Sequence, residues 1–265
     1  MDRIIFGIDG RRGVIGGDFT FANVRCVAAA LAEYVREESE PARGLMVGYD
    51  TRFLSTDLGR AVAEVLSTPG IRVWPACAPT PAPAMSYAVM VRQTAGAVTI
   101  TASHNPYRWN GVKFKAAYGG SAAPAIMYRN QIHFGRMAHR RAHPRRAEPA
   151  SAETDDLTMP YLEWLRSRVR LDRIHSSTQR LVINPMYGAA RGCIARLFAE
   201  TGIGCQGMHS EQNPPFPGLS LELLEPLVAE LRHAVIDGGY DAGSATDSDA
   251  DRVGAVYEVE LTAAS

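Results

Sequence analysis

A chain of 265 residues is long enough for one large domain or two ordinary ones, and its 46% hydrophobic content is enough for a true core, which excludes global disorder. Lys+Arg and Asp+Glu each number 28, so no overall charge steers the protein toward nucleic acid or a membrane surface. Four cysteines without a CxxC pair, no signal-peptide core and no apolar run near the ~18–20 residues that span a bilayer lead us to expect a soluble cytoplasmic protein.

The spacing predicts a strand over 4–8, then a turn over 9–13 that carries Arg11 and Arg12 at its mouth. Apolar residues at Val24, Val27, Ala28, Leu31 and Val35 predict a helix over 22–38. A strand over 44–49 ends in Asp50-Thr51-Arg52, a helix follows over 56–66, and a strand over 71–74. Prolines at 79, 81 and 83 break the chain before a helix over 84–92. The apolar run 97–100 stops in the polar loop Thr101-Ala102-Ser103-His104-Asn105-Pro106, and a second β-like run spans 110–114. Polar clusters thus recur just past the strands, at Arg11/Arg12, Asp50/Arg52 and Ser103/His104, and a parallel sheet would bring them to one edge.

Residues 128–146 are rich in Arg and His. They read either as a polyanion site or as a frayed helix and solvated linker; sparse aromatics and the acids that follow favour the second. The alternation then resumes: helix 157–169, strand 180–184, helix 189–201, strand 203–208, helix 221–234, strand 240–245 and a β-like run 253–261. The pattern predicts an α/β protein of two consecutive three-layer α/β/α domains with mixed, largely parallel sheets, divided at 1–145 and 146–265.

Two stretches carry chemistry. Asp247, Asp249 and Asp251 stand at alternate positions with small residues between them, an oxygen-only set suited to Mg²⁺ or Ca²⁺. The alternatives are a solvated acidic loop and an EF-hand, for which Glu258 falls at position 12 but Arg252 occupies the position that wants glycine. In the other stretch, Ser103 lies in no G-x-S-x-G elbow, and His104 beside it is badly placed as its base. It is either a turn serine or a group suited to phosphate, given a cation and positive side chains nearby.

Taken together, Thr101–Pro106 with Asn110-Gly111-Val112-Lys113, followed by Asp247-Ser248-Asp249-Ala250-Asp251-Arg252, resemble the α-D-phosphohexomutase family of phosphoglucomutases and phosphomannomutases. Phe6–Gly13 is similar to the family's arginine loop, and Asn184-Pro185-Met186-Tyr187-Gly188 to its second-domain strand end. The resemblance implies that Ser103 is carried as phosphoserine and passes phosphate between O1 and O6 of a hexose phosphate through a bisphosphorylated sugar. It implies Mg²⁺ held by Asp247, Asp249, Asp251 and Ser103, and a glucose 1,6-bisphosphate-type activator. It implies that Arg12 and Arg252 neutralise charge, Lys113 aids proton transfer or charge stabilisation, and His104 and Asn105 shape the loop.

The chain also departs from that pattern. Ser248 replaces the usual glycine, which predicts strain if that position needs a positive φ. Asn184 stands where aspartate is common, and Ala250 leans toward glucose or mannose phosphates rather than glucosamine phosphate. The resemblance covers domains I and II of four, with domains III and IV not matched. The expectation is therefore half a substrate cleft with little activity alone, completed by a C-terminal half, or a non-catalytic Mg²⁺ or phosphosugar module, with self-association through exposed apolar surface. No nucleic-acid or membrane partner is expected.

Overall fold

Strand–helix alternation builds two sheets, one from each half of the chain. The computed structural model describes residues 10–67, 70–139, 154–174, 177–217, 219–223 and 228–257. The first half runs β1 (Arg11–Val14), α1 (Phe21–Glu38), a 3-10 turn (Pro41–Arg43), β2 (Leu45–Tyr49), α2 (Ser55–Leu66), β3 (Val73–Pro75), α3 (Ala82–Arg92), β4 (Gly96–Ile100), β5 (Trp109–Ala116) and α4 (Pro124–His139). The second half runs α5 (Met159–Arg168), α6 (Leu171–Ile174), β6 (Arg180–Asn184), α7 (Cys193–Leu197), β7 (Gly204–Gly207), α8 (Ala229–Gly238), β8 (Ala242–Thr246) and β9 (Val253–Tyr257). Among the described residues, no helix is long and apolar enough to cross a membrane.

Both sheets are mixed, as the alternation predicts. The first has the order β1-β5-β4-β2-β3, with β2 parallel to β3 and β4, and β5 antiparallel to β4 and β1. The second has the order β7-β6-β8-β9, parallel except for the β8–β9 pair. In the first sheet the helices lie on both faces. A Cβ added at Gly48 of β2 would strike Met85 of α3, whereas the next side chain, Tyr49, meets Gly59 of α2. Successive strand residues point to opposite faces, so α2 and α3 flank the sheet from opposite sides. The chain therefore leaves β2 for the layer of α2 and β3 for the opposite layer of α3, while β4 passes through the Ser103 loop into β5 of the same sheet.

The helix α1 follows from its sequence. Thr20 Oγ1 accepts the Asn23 amide at 3.3 Å and caps the first turn. Val24, Val27, Leu31 and Val35 recur at helical spacing and are buried in the first core with Leu45, Val47, Leu58 and Val98. The second core is smaller and gathers Val182, Met186, Phe216, Leu221, Leu231 and Val235.

Several boundaries differ from expectation. Arg11 and Arg12 belong to strand β1 instead of a turn, because β1 pairs with β5 (Arg11 opposite Val112) and Gly10 approaches so closely that a Cβ there would fall 1.9 Å from the Val112 carbonyl oxygen. The helix predicted over 189–201 is reduced to Cys193–Leu197, since the backbone before it turns to meet the loop after β8, where the Ala189 amide reaches the Ser248 carbonyl at 2.8 Å. The helix predicted over 221–234 starts at Ala229, leaving Leu221 buried in the second core outside any helix. Up to residue 139 the Arg/His-rich segment is not frayed but forms α4, which packs on α1 through buried Met127 and Phe134. The expected strand over 4–8, residues 140–146, the end of the run 253–261 and the division between 145 and 146 lie outside the described residues.

Leu31 and Tyr128 test this layering. Leu31→Ala removes a fully buried side chain and should cost about 2–5 kcal/mol in chemical denaturation. Tyr128→Ala, on the exposed face of α4, should stay within about 0.5 kcal/mol. Equal costs would contradict the assignment of the core.

Candidate active site

The register of β2 and β4 sets the site. Tyr49 pairs with Ile100, so Asp50 and Thr101 leave the sheet side by side, and the Asp50 amide donates to the Ile100 carbonyl at 2.9 Å. Asp50 is fully enclosed by donors. Its Oδ1 accepts the Arg52 amide at 3.0 Å and the Ser55 hydroxyl at 2.7 Å, and its Oδ2 accepts the Thr101 hydroxyl at 2.7 Å. Thr101 Oγ1 in turn accepts the Ser103 amide at 2.9 Å.

Arg52 holds the loop from the other side. Nη1 donates to the carbonyls of Pro106 and Trp109, both at 3.0 Å, and Nη2 donates to those of Ser103 (2.5 Å) and Asn105 (2.7 Å). Nε lies 3.2 Å from Asp50 Oδ2 and 3.3 Å from the Ser248 hydroxyl. A guanidinium has five N–H groups, and here all five face acceptors. Burial raises the Asp50 pKa and lowers that of Arg52, with their mutual attraction opposing each shift.

So held, Ser103 adopts a left-handed backbone (φ 52°) that non-glycine residues seldom occupy, and its side chain is buried. Its hydroxyl donates to Asp247 Oδ2 and lies 3.5 Å from Asp251 Oδ1. Lys113, on β5, donates to Asp249 Oδ2 at 2.8 Å and to Asp251 Oδ2 at 2.9 Å. Five residues that the sequence singled out, Ser103, Lys113, Asp247, Asp249 and Asp251, therefore meet at one point between the two sheets.

The remaining candidates surround it. Arg12 Nη1 donates to Asn105 Oδ1 at 2.5 Å, which ties β1 to the loop. His104 Nε2 lies 3.5 Å from Glu222 Oε1 of the second half; burial and then Arg252 hold its pKa below the ordinary value. The Arg252 amide donates to Asp247 Oδ1 at 3.4 Å while its side chain is exposed.

The acidic loop joins β8 to β9, two antiparallel strands, so the helix–loop–helix of an EF-hand does not hold it; Glu258 lies outside the described residues. Burial and then the Asp249 carboxylate push Asp247 up to about 7, against the Ser103 hydrogen bond. Burial would raise Asp251 too, but Lys113 outweighs it and holds the group below the usual carboxylate range. Burial opposes the charge on Lys113, yet Asp249 and Asp251 prevail and raise its pKa, so it stays an ammonium. The ammonium thus pairs directly with two of the three carboxylates. Ligand atoms of the three lie within 4.8 Å of one another, and the buried Asp249 Oδ1 has no hydrogen-bond partner. The donors are all oxygen, which fits a hard divalent cation such as Mg²⁺.

Ser248 corrects one expectation. The position with a positive φ is Ala250 (57°), not Ser248. Ser248 instead has a polar role. Its hydroxyl lies 2.7 Å from the Ser103 carbonyl and 2.9 Å from Asp50 Oδ2, and donates its one proton to either. Asn184 Oδ1, at the end of β6, accepts the Met186 amide at 2.9 Å and shapes the loop behind. The sequence places Asp50 and Arg52 among the polar clusters at one sheet edge but assigns no role in the site to either of them or to Ser248. Asp50 and Arg52 were visible as a polar pair past a strand, but nothing local says where their hydrogen bonds go.

Residues 3–132 match the phosphoglucomutase/phosphomannomutase alpha/beta/alpha domain I model, and residues 159–260 match that of domain II. The chain belongs to the phosphoglucomutase/phosphomannomutase family. It is 30% identical over 257 residues to a phosphoglucosamine mutase of Synechococcus sp. (strain WH7803), covering 96% of this chain and 53% of that protein. It is 31% identical over 268 residues to a phosphoglucosamine mutase of Bordetella pertussis (strain Tohama I), covering 95% of this chain and 56% of the relative. A Thermus thermophilus structure described as a phosphomannomutase superposes with a TM-score of 0.86 at 32% identity, over 96% of this chain and 57% of that one. A family protein from Burkholderia thailandensis shares the fold, with a TM-score of 0.79 at 23% identity over 97% of this chain and 55% of its own. The chain thus spans about half the length of the curated relatives it matches.

The enclosure of Arg52 predicts a large penalty for its loss. Arg52→Met leaves Asp50 buried without its charge partner and should cost about 3–5 kcal/mol by chemical denaturation. Arg60→Met, which breaks only an exposed pair with Asp57, should cost less than about 1 kcal/mol. Comparable costs would mean that the guanidinium does not organise the loop.

Proposed function

We propose that this chain carries the phosphoryl-donor portion of a hexose-phosphate mutase, with Ser103 as the group that is phosphorylated. The observation that carries this reading is the Ser103 hydroxyl buried against Asp247 and Asp251, which come from the other half of the chain. A plain turn serine needs neither a left-handed backbone nor two carboxylates at its oxygen.

In the proposed step, the bond from Ser103 Oγ to phosphorus breaks as phosphorus bonds to a sugar hydroxyl oxygen. The hydroxyl proton ends on Ser103 Oγ. A reverse transfer from the other position of the bisphosphorylated sugar restores the phosphoserine and leaves the isomeric hexose phosphate. Such transfer needs positioning and charge neutralisation more than covalent chemistry. Asp50, Thr101 and Arg52 fix the donor oxygen. Lys113, kept as an ammonium, is assigned charge stabilisation rather than proton abstraction. Arg12 and Arg252, both in reach of solvent at the cleft, are assigned to phosphate oxygens, and His104 and Asn105 to the shape of the loop. Asp247, Asp249 and Asp251 would hold Mg²⁺ with an oxygen carried on Ser103, and the ion would neutralise charge on the transferring group.

The length of the relatives supports a second part to the proposal: the sugar and its non-reacting phosphate are recognised largely by a C-terminal half, on the same or a separate chain. Val253 and Tyr257 stand exposed on the edge strand β9, which supports a contact there. For the sugar, Ala250 leans toward glucose or mannose phosphates, whereas the names of the curated relatives favour glucosamine phosphate as the second reading.

Intact-mass measurement after incubation with glucose 1,6-bisphosphate and Mg²⁺ tests the central assignment. The wild-type chain should gain one phosphoryl group and Ser103→Ala none. A wild-type chain that stays unmodified, or a Ser103→Ala chain that is modified equally, contradicts it. In a coupled assay of hexose 1-phosphate conversion, the 265-residue chain alone should turn over little or not at all.

A further inference from the structure

The helix layer formed by α1 and α4 holds a second group of metal-ligating side chains, separate from the cleft. Glu33 and Glu37 are one turn apart on α1 and so share a face. His133 on α4 meets them, and one ligand atom from each of the three lies within 4.8 Å of the others. The imidazole is almost wholly buried, at 1% exposure.

Its orientation is set from behind. His133 Nε2 lies 2.9 Å from Glu38 Oε1, and the other oxygen of that carboxylate accepts Arg129 Nε at 2.6 Å. A carboxylate anchored by arginine can only accept, so Nε2 carries the proton in this hydrogen bond. The other nitrogen, Nδ1, is buried without a hydrogen-bond partner and faces Glu33 Oε2 at 3.8 Å. At 3.8 Å the gap is too long for an N–H to bridge, so Nδ1 is left unsatisfied beside a carboxylate. A cation between them satisfies it. Asn130, one turn earlier on the same helix, is likewise buried with both amide atoms unpartnered.

We propose that His133, Glu33 and Glu37 bind a divalent transition-metal ion of the Zn²⁺ class, with Glu38 as the carboxylate that orients the histidine. The imidazole ligand selects such an ion over Mg²⁺ and Ca²⁺, the reverse of the all-oxygen triad near Ser103. Carboxylate–histidine–metal chains of this kind fix the tautomer and raise the basicity of the ligand. The glutamates close on the ion by rotamer changes. Glu37 stands half-exposed and gives up only an exposed pair with Arg136 (3.6 Å), a weak competitor. The ion clips α1 to α4, whose packing forms one side of the first core, and gives a role to the histidine- and arginine-rich helix that the mutase reading does not use.

Equilibrium dialysis of the full chain against Zn²⁺, with Mg²⁺ in large excess to occupy the aspartate triad, tests this. One Zn²⁺ per chain is expected, accompanied by a rise in Tm. Glu33→Gln/Glu37→Gln, whose side chains reach the surface and whose fold is checked by circular dichroism, should weaken binding by at least about tenfold. His133→Gln should do the same, and Co²⁺ in place of Zn²⁺ should give visible absorption that both variants lose. No Zn²⁺ on the folded wild-type chain overturns the proposal, as does binding that survives the glutamate substitutions unchanged. The outcome is independent of Ser103 phosphorylation, so either reading can fail alone.

Discussion

One guanidinium, buried between the two halves of the chain, determines the geometry of everything around it. Arg52 directs four N–H groups to the carbonyls of Ser103, Asn105, Pro106 and Trp109, and its fifth to Asp50 and Ser248. Its face also lies 5.3 Å from the centre of the Phe216 ring in the second half. No lysine could replace it, because an ammonium has three donors on a single point rather than a planar fork. The pair with Asp50 is not a source of stability in itself, since burial disfavours both charges and a well-packed apolar pair could do as well. Its value is positional. Without it, a loop of free carbonyls would have no reason to hold Ser103 at a left-handed φ, facing carboxylates more than 140 positions away.

The electrostatics of the cleft complement that geometry. Lys113 pairs directly with two of the three carboxylates, the third, Asp247, is pushed up to about 7, and a buried oxygen of Asp249 lacks a donor. A site of this kind is incomplete in charge. The backbone is nonetheless well supported: the Asp249 carbonyl accepts the Ala82 amide at 2.7 Å from the first turn of α3, and the Ser248 carbonyl accepts Ala189. The first half thus braces the acidic loop through Ala82, and the second braces the Ser103 loop through the Ser248 hydroxyl.

Much of this was legible in the sequence, for identifiable reasons. The helical spacing of Val24 to Val35 and the β-branched runs before Asp50 and Thr101 placed α1, β2 and β4 to within a residue or two, because burial on one layer leaves a period behind. The aspartates stood out because carboxylates this dense repel one another unless a cation sits among them, and Ser103 stood out through the family resemblance that joins its loop to theirs. What could not be read was tertiary. The shortening of the 189–201 helix depends on the Ala189 amide being used by Ser248, and the strand at Arg11 depends on Val112. The backbone strain expected at Ser248 falls on Ala250 instead, since φ in a turn follows from how the loop is anchored rather than from which residue is unusual. Arg52 is the largest omission. Its partners lie 51 to 57 positions ahead for the carbonyls and 196 for Ser248, beyond any local pattern.

On this reading a phosphoryl group carried on Ser103 lies among the ligands of a bound cation. The most direct measurement is the ³¹P spectrum of the phosphorylated chain titrated with Mn²⁺. One phosphoserine resonance is expected, broadened at low Mn²⁺ and protected when Asp249 is changed to asparagine. A resonance that Mn²⁺ leaves sharp, or broadens equally in Asp249→Asn, would contradict it.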